Sequence, residues 1–153
     1  MGTGGGGRNK APGDWMRAEI EFRRNGGELS GPMAIHHYAA FMYPSEVLGD
    51  DALWEKCKPV VSSAYEFRDN DMLIAQWEAC FTFDGFERLA DCKVPIHVIS
   101  FSQDMQTPPP SARAVAEAAG IGHFHLLEGL GHVSLLGHRP ELGSAKIREI
   151  ISL

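Results

Sequence analysis

The chain has 153 residues, 44% of them apolar and 22% charged, with a formal net charge of −6. These are the proportions of one globular domain. The negative balance, with no cluster of Lys or Arg, argues against a nucleic-acid partner. No apolar run approaches the ~18 residues of a membrane span, and no secretory leader pattern opens the chain. Cys57, Cys80 and Cys92 are an odd set without C-x-x-C spacing, the pattern of reduced thiols in a cytoplasmic protein.

Residues 1–13, "MGTGGGGRNKAPG", are glycine-rich and polar and predict a loop or tail. Gly2-x-Gly4-x-x-Gly7 has the letters of a dinucleotide-binding loop. That motif works only between a strand and a helix. No strand precedes it, and Pro12 and Gly13 follow, so no cofactor is expected. From Asp14 to about Arg88 the pattern is helical. Asp14 is the expected N-cap of "WMRAEIEFRR", which Gly26-Gly27 would stop. "GPMAIHHYAAFMY" is a second helix, ending before Pro44. "SEVLGDDALWEKCKPVVSSAYEF" holds one or two more, with Pro59 expected to kink or restart the chain. In "NDMLIAQWEACFTF", Met72, Leu73, Gln76, Trp77 and Cys80 recur near helical spacing. "FDGFERLADC" closes the block with a short helical turn.

The character changes at Lys93. "VPIHVISF" (94–101) is short, apolar and rich in β-branched residues, as a buried strand is. In "TPPPSARAVAEAAG", Thr107 is the expected cap, the prolines suit a first turn, and Gly120 stops the helix. "HFHLLEG" is a second strand. "RPELGSAKIREIISL" is a closing amphipathic helix, with Leu142, Ile147, Ile150 and Ile151 expected to face the core. Strand, helix, strand makes parallel neighbours, normally right-handed. Two parallel strands do not make a stable sheet, so further strands are expected from outside this sequence.

Chemistry in open parallel sheets gathers beyond the carboxyl ends of the strands. Asp104 follows the first strand and His132 the second. A carboxylate there can accept Nδ1–H of the imidazole and leave Nε2 as a general base. Taken singly, Asp104 also reads as a turn former before prolines, and His132 as a packing residue. Their placement at successive strand ends is what singles them out.

"LADCKVPIHVISFSQDMQTPPPSARAVAEAAGIGHFHLLEGLGHVSLLGHRPE" resembles the C-terminal half of the α/β-hydrolase superfamily. Pro95, Asp104 and Pro108 match the family's I-x-x-P-h-h-h-h-x-G-x-x-D-x-x-x-P signature, and Gly129, Gly131 and His132 its G-x-G-H. The family's glycine before the acid is replaced here by Phe101 or Ser102. The resemblance implies that Asp104 is a triad acid and His132 a triad base, and that residues 14–88 are a helical cap, with 89–153 the last part of the core. Asp14 is a lesser alternative for the acid. The family's nucleophile precedes both in G-x-S-x-G, and no Ser, Cys or Asp of this chain sits in that pattern. Residue 1 would correspond to the end of the sixth strand. Met1 would then be an internal residue of a precursor, or the start of a separately encoded half.

The expected activity is therefore one half of a serine hydrolase acting on an ester, thioester or lactone, silent without the half that bears the nucleophile. The expected partner is that N-terminal half, or another copy of the chain. The alternative is a non-catalytic binding or assembly module derived from such an enzyme. Trp77, Phe81 and Val133 are the expected substrate-pocket residues; Trp15, Tyr38, Phe41, Met42 and Trp54 are expected in the core of the helical block. His36-His37 point about 100° apart on a helix, and His123 and His125 have no carboxylate or cysteine at matching spacing, so no metal is expected. His97 reads as a hydrogen-bonded core residue, and His138 as a contact of the turn before the last helix.

Overall fold

The computed structural model describes residues 10–66 and 69–152. The Gly2-x-Gly4-x-x-Gly7 run lies outside them. Six helices come first: α1 (Lys10–Arg24), α2 (Gly31–Met42), α3 (Ser45–Leu48), α4 (Asp51–Glu66), α5 (Asn70–Thr82) and α6 (Phe86–Leu89). Then follow β1 (Ile96–Phe101), α7 (Pro109–Ala118), β2 (Gly122–Leu127) and α8 (Pro140–Ile151).

Helix α1 is already formed at Lys10, inside the stretch expected as a tail, and Asp14 is not its cap. Pro12 costs nothing in a first turn, where its missing N–H has no intrahelical partner. Gly13 is buried, and a Cβ there would stand 3.3 Å from the Arg17 guanidinium and 3.7 Å from the Phe81 ring. Asp14 instead pairs with Arg17 one turn on, at 2.9 Å and exposed. The C-terminus follows the expected glycine stop. Gly26, at φ +81°, donates to the Arg23 carbonyl at 3.0 Å, and Gly27 to that of Phe22 at 2.9 Å, which takes up carbonyls the helix leaves free. Helix α4 runs through Pro59 without a restart. Asp69 caps α5, accepting from Asp71 and Met72 amides at 2.7 and 3.1 Å.

The helical block packs around Tyr38, Val47, Cys57, Val61, Leu73 and Trp77, with Trp15, Met42 and Trp54 partly buried against them. Phe41 stacks on Trp15 with ring centroids 4.6 Å apart. Strands β1 and β2 pair in parallel, Ile96 opposite Gly122 through to Phe101 opposite Leu127. Helix α7 covers one face through Val98, Ala112, Val115, Ala116 and Phe124. Gly122 is required there, because a Cβ would meet the Ala116 carbonyl oxygen at 1.8 Å.

Two expectations fail in this half. The N-cap of α7 is Pro108, not Thr107; the Thr107 hydroxyl is drawn to a carboxylate three residues before it. On α8, Leu142 is 37%, Ile147 49% and Ile151 75% exposed. Leu135 packs against buried Gly143 and Ile150 is half-buried, but the other expected core residues of the helix stay exposed.

Candidate active site

Strand pairing brings the two strand-end loops together, and cross-loop bonds continue it. Ser102 N–H donates to Leu127 at 3.0 Å, and Gln103 N–H to Leu130 at 2.9 Å. Ser102 Oγ accepts Gly129 N–H at 2.9 Å. The Ser102 hydroxyl thus satisfies a loop amide. Asp104 and His132 are held opposite one another as a consequence.

His132 Nδ1 lies 2.9 Å from Oδ2 and 3.1 Å from Oδ1 of Asp104. Asp104 Oδ1 also accepts the amides of Gln106 and Thr107 at 2.9 and 2.8 Å, and Oδ2 the Thr107 hydroxyl at 2.8 Å. Side-chain exposure is 2% for Asp104 and 13% for His132. Burial alone would raise the Asp104 pKa. The hydrogen bond and charge of His132, then the Thr107 amide and hydroxyl, outweigh it and hold the carboxyl below the usual aspartate range. Asp104 is therefore a carboxylate at neutral pH, Nδ1 carries the shared proton, and the imidazole tautomer is fixed. No hydrogen-bond partner meets His132 Nε2 among the described residues. Thr107 was expected as a cap; the signal for its actual place is a carboxylate followed at +2 and +3 by amides it can accept.

The loop that carries His132 lies against the helical block. Val133 N–H donates to the Met42 carbonyl at 3.0 Å, and the Tyr43 hydroxyl to that of Leu136 at 2.5 Å. The Arg139 guanidinium reaches Glu46 at 2.5 Å. A Cβ on Gly131 would stand 2.9–3.0 Å from backbone atoms of Met42, Tyr43 and Pro44. Glycine is needed for so close an approach.

Between block and loop lies a cavity of about 260 Å³ with His132 in its wall. Trp15, Tyr38, Trp77, Val133 and Leu136 give it an apolar lining, and the glutamines 76 and 106 supply polar amides. Among the described residues, no Asp, Glu, Lys or Arg lines it. Trp77 and Val133 are among its lining residues. Phe81 lies one turn further along α5, with the Arg17 guanidinium 5.0 Å from its ring centroid.

Ser134 is the nearest thing to a serine–imidazole pair, its Oγ 3.1 Å from His138 Nδ1. It is fully buried and already accepts Gly131 N–H, so no substrate reaches it. Ser100 is buried on β1. Asp14, the alternative acid, is engaged with Arg17 on the exposed face of α1. His36 stacks on Trp54. His97 is half-buried rather than in the core, its Nδ1 3.0 Å from His125 Nε2, with His123 stacked beside it. No group of three or more His, Cys, Asp or Glu side chains among the described residues is arranged to hold a metal.

No protein-family model and no curated protein matches this sequence. Solved structures do match. BpoC of Mycobacterium tuberculosis H37Rv, assigned as a non-heme bromoperoxidase, superposes with a TM-score of 0.81 at 21% identity over 94% of this chain and 53% of its own. MGS-M2, an α/β-hydrolase enzyme from a Medee basin deep-sea metagenome library, gives 0.72 at 19% identity over 95% and 52%. The enol-lactonase of Burkholderia xenovorans LB400 gives 0.71 at 16% identity over 92% and 51%. The chain has the fold of the C-terminal half of an α/β-hydrolase, and spans about half the length of the structures it matches.

Proposed function

We propose that Asp104 and His132 are the acid and base of a serine-type α/β-hydrolase acting on an ester, thioester or lactone. The observation that carries this is the double contact of His132 Nδ1 with a buried, deprotonated Asp104, with His132 in the wall of a largely apolar cavity. In this reading the helical residues 14–88 are the cap, and the apolar cavity takes an uncharged acyl or aromatic group. Nε2 draws the proton from a serine hydroxyl as it attacks the carbonyl, and returns it to the leaving alkoxide or thiolate. Asp104 stabilises the imidazolium in between.

The serine belongs to an N-terminal half carrying G-x-S-x-G, on the same precursor or on a separate polypeptide. Residues 1–153 alone turn over no ester, because base and acid without nucleophile and oxyanion donors leave little catalysis. Three free cysteines suit a reducing compartment such as the cytoplasm; no helix among the described residues is long and apolar enough to cross a membrane.

Co-expression with such an N-terminal half tests the reading. Ester turnover and labelling of its serine by a fluorophosphonate are expected, both lost in His132→Ala. Full turnover in that variant, or a stable complex that never labels, sinks it.

A further inference from the structure

A second chain of polar groups stands behind the Asp104–His132 pair. Ser134 Oγ accepts Gly131 N–H at 2.8 Å and lies 3.1 Å from His138 Nδ1. His138 is buried, and its Nε2 faces Glu46 of α3 at 3.6 Å without a hydrogen bond. Burial pushes the His138 imidazole below the usual histidine value, against the pull of Glu46, so it is neutral near pH 7 and carries one N–H. The carboxylate places that proton on Nε2, which leaves Nδ1 an acceptor. The Ser134 hydroxyl then donates to Nδ1, and its lone pair takes the Gly131 amide.

The peptide unit between Leu130 and Gly131 is the point of control. Its carbonyl accepts Gln103 N–H at 2.9 Å, beside Asp104. Its N–H is held by Ser134 Oγ, one residue before His132. One plane is therefore fixed at both poles, by the sequence neighbour of Asp104 on one side and by Ser134 on the other. Ahead of it the loop is tied only at Gly129, whose N–H donates to Ser102 Oγ, and the ties at Val133, Leu136 and Arg139 lie after His132 among the described residues.

We propose that Ser134 and His138 are positioning residues, a relay from Glu46 to the Gly131 amide that fixes the Leu130–Gly131 peptide just ahead of His132 and so aims Nδ1 at Asp104. The relay rests on the reading of His132 as a base. It is nevertheless testable in this chain as it stands, because the Asp104–His132 hydrogen bond is read without turnover.

The experiment is NMR of the isotope-labelled chain, following two signals. One is the low-field Nδ1–H proton of His132, assigned by its loss in His132→Gln. The other is the Asp104 carboxyl, which titrates below the usual aspartate range in the parent. Ser134→Ala should broaden or abolish the first and raise the second toward the ordinary value of about 3.9. His138→Leu should do the same. His138→Asn, whose Oδ1 can accept the Ser134 hydroxyl, should keep both signals near the parent. Circular dichroism establishes that each variant is folded, and Ser134→Ala decides alone if His138→Leu does not fold. The relay is overturned if Ser134→Ala keeps both signals, or if His138→Asn loses them as fully as a folded His138→Leu. Failure of the hydrolase reading would show separately, as absent labelling of the complemented complex with these signals intact.

Discussion

The amide of Val133 donates to the carbonyl of Met42 at 3.0 Å, joining the loop that carries His132 to the helical block. It links the last residue of α2 to the residue that follows His132. The helical block and the strand-end loops are thereby one structural unit, with the cavity between them. Packing in the helices consequently bears on the geometry of His132.

Gly131 tests that union. A Cβ there would press on backbone atoms of Met42, Tyr43 and Pro44 at 2.9–3.0 Å, and backbone cannot swing aside as a side-chain tip can. Gly131→Ala should cost about 1–3 kcal/mol of stability, the range for overpacking. Chemical denaturation with a constant m-value is the measurement. Parent-like stability would mean that the loop can stand off from α2.

The pH dependence of stability should carry the mark of Asp104. Its folded pKa lies below the unfolded value of about 3.9. The unfolded chain therefore takes up the proton first as pH falls. The stabilisation is complete well above pH 4 and is lost as pH drops through the lower folded value. Asp104→Asn should lose about 2 kcal/mol at pH 7, the scale of hydrogen bonds to a charged group. The gap from the parent should narrow by pH 3. A gap that stays constant between pH 7 and pH 3 would contradict the assigned ionisation.

A buried ionic cluster lies beneath the cavity. Arg23 Nη2 reaches Glu19 at 2.8 Å and the Tyr38 hydroxyl at 2.8 Å, Arg23 also bonds Asn70, and Arg23 and Glu19 are about 95% buried at their side chains. Arg23→Ala should cost about 3–5 kcal/mol, because it strands a buried carboxylate. The double variant Glu19→Leu with Arg23→Met should lose less than that single change, since it removes both charges and keeps the volume. Equal losses in the two variants would show that packing, not the stranded charge, sets the cost.

Helix α8 exposes Leu142, Ile147 and Ile151. Ile147 and Ile151, one turn apart, make an exposed apolar patch, and such a patch drives association. Sedimentation of the isolated chain should show mass rising with concentration, and Ile147→Lys with Ile151→Lys should abolish the rise. A parent that stays monomeric at high concentration would remove the patch as the cause.

The same helix shows what sequence periodicity carries. A 3.6-residue repeat says that one face is apolar; it does not say that the same chain covers that face. Asp104 and His132 were legible because each follows its strand by a few residues, and parallel pairing does the rest. Thr107 was not, because prolines after it advertise a helix start while the carboxylate before it competes for its hydroxyl. Trp77 and Phe81 share α5, yet the cavity stops between them where Arg17 covers the outer ring, and the spacing of α5 holds no record of α1. The helical start at Lys10 was hidden likewise. Gly13 looks like loop punctuation until Phe81, far along the chain, packs near it.

Cys57 offers a reporter for the junction. It is fully buried in α4, with the Gly137 backbone of the imidazole loop packed over its Sγ, a Cβ there standing 3.4 Å away. Burial pushes its thiol pKa up, against the pull of the Tyr43 hydroxyl and Lys56. Both access and thiolate fraction are thus suppressed. Cys80 is exposed and Cys92 half-buried. A maleimide at pH 7 should label Cys80 and Cys92 in the native protein, with Cys57 roughly 100-fold slower, since it reacts only through opening of the fold. Gly131→Ala lifts the loop from the helices, so it should speed Cys57 alone and leave Cys80 unchanged. If Cys57 labels as fast as Cys80 in the parent, the loop does not close over α4. If Gly131→Ala leaves Cys57 protected, the junction is held from the Gly137 side without the Gly131 contact.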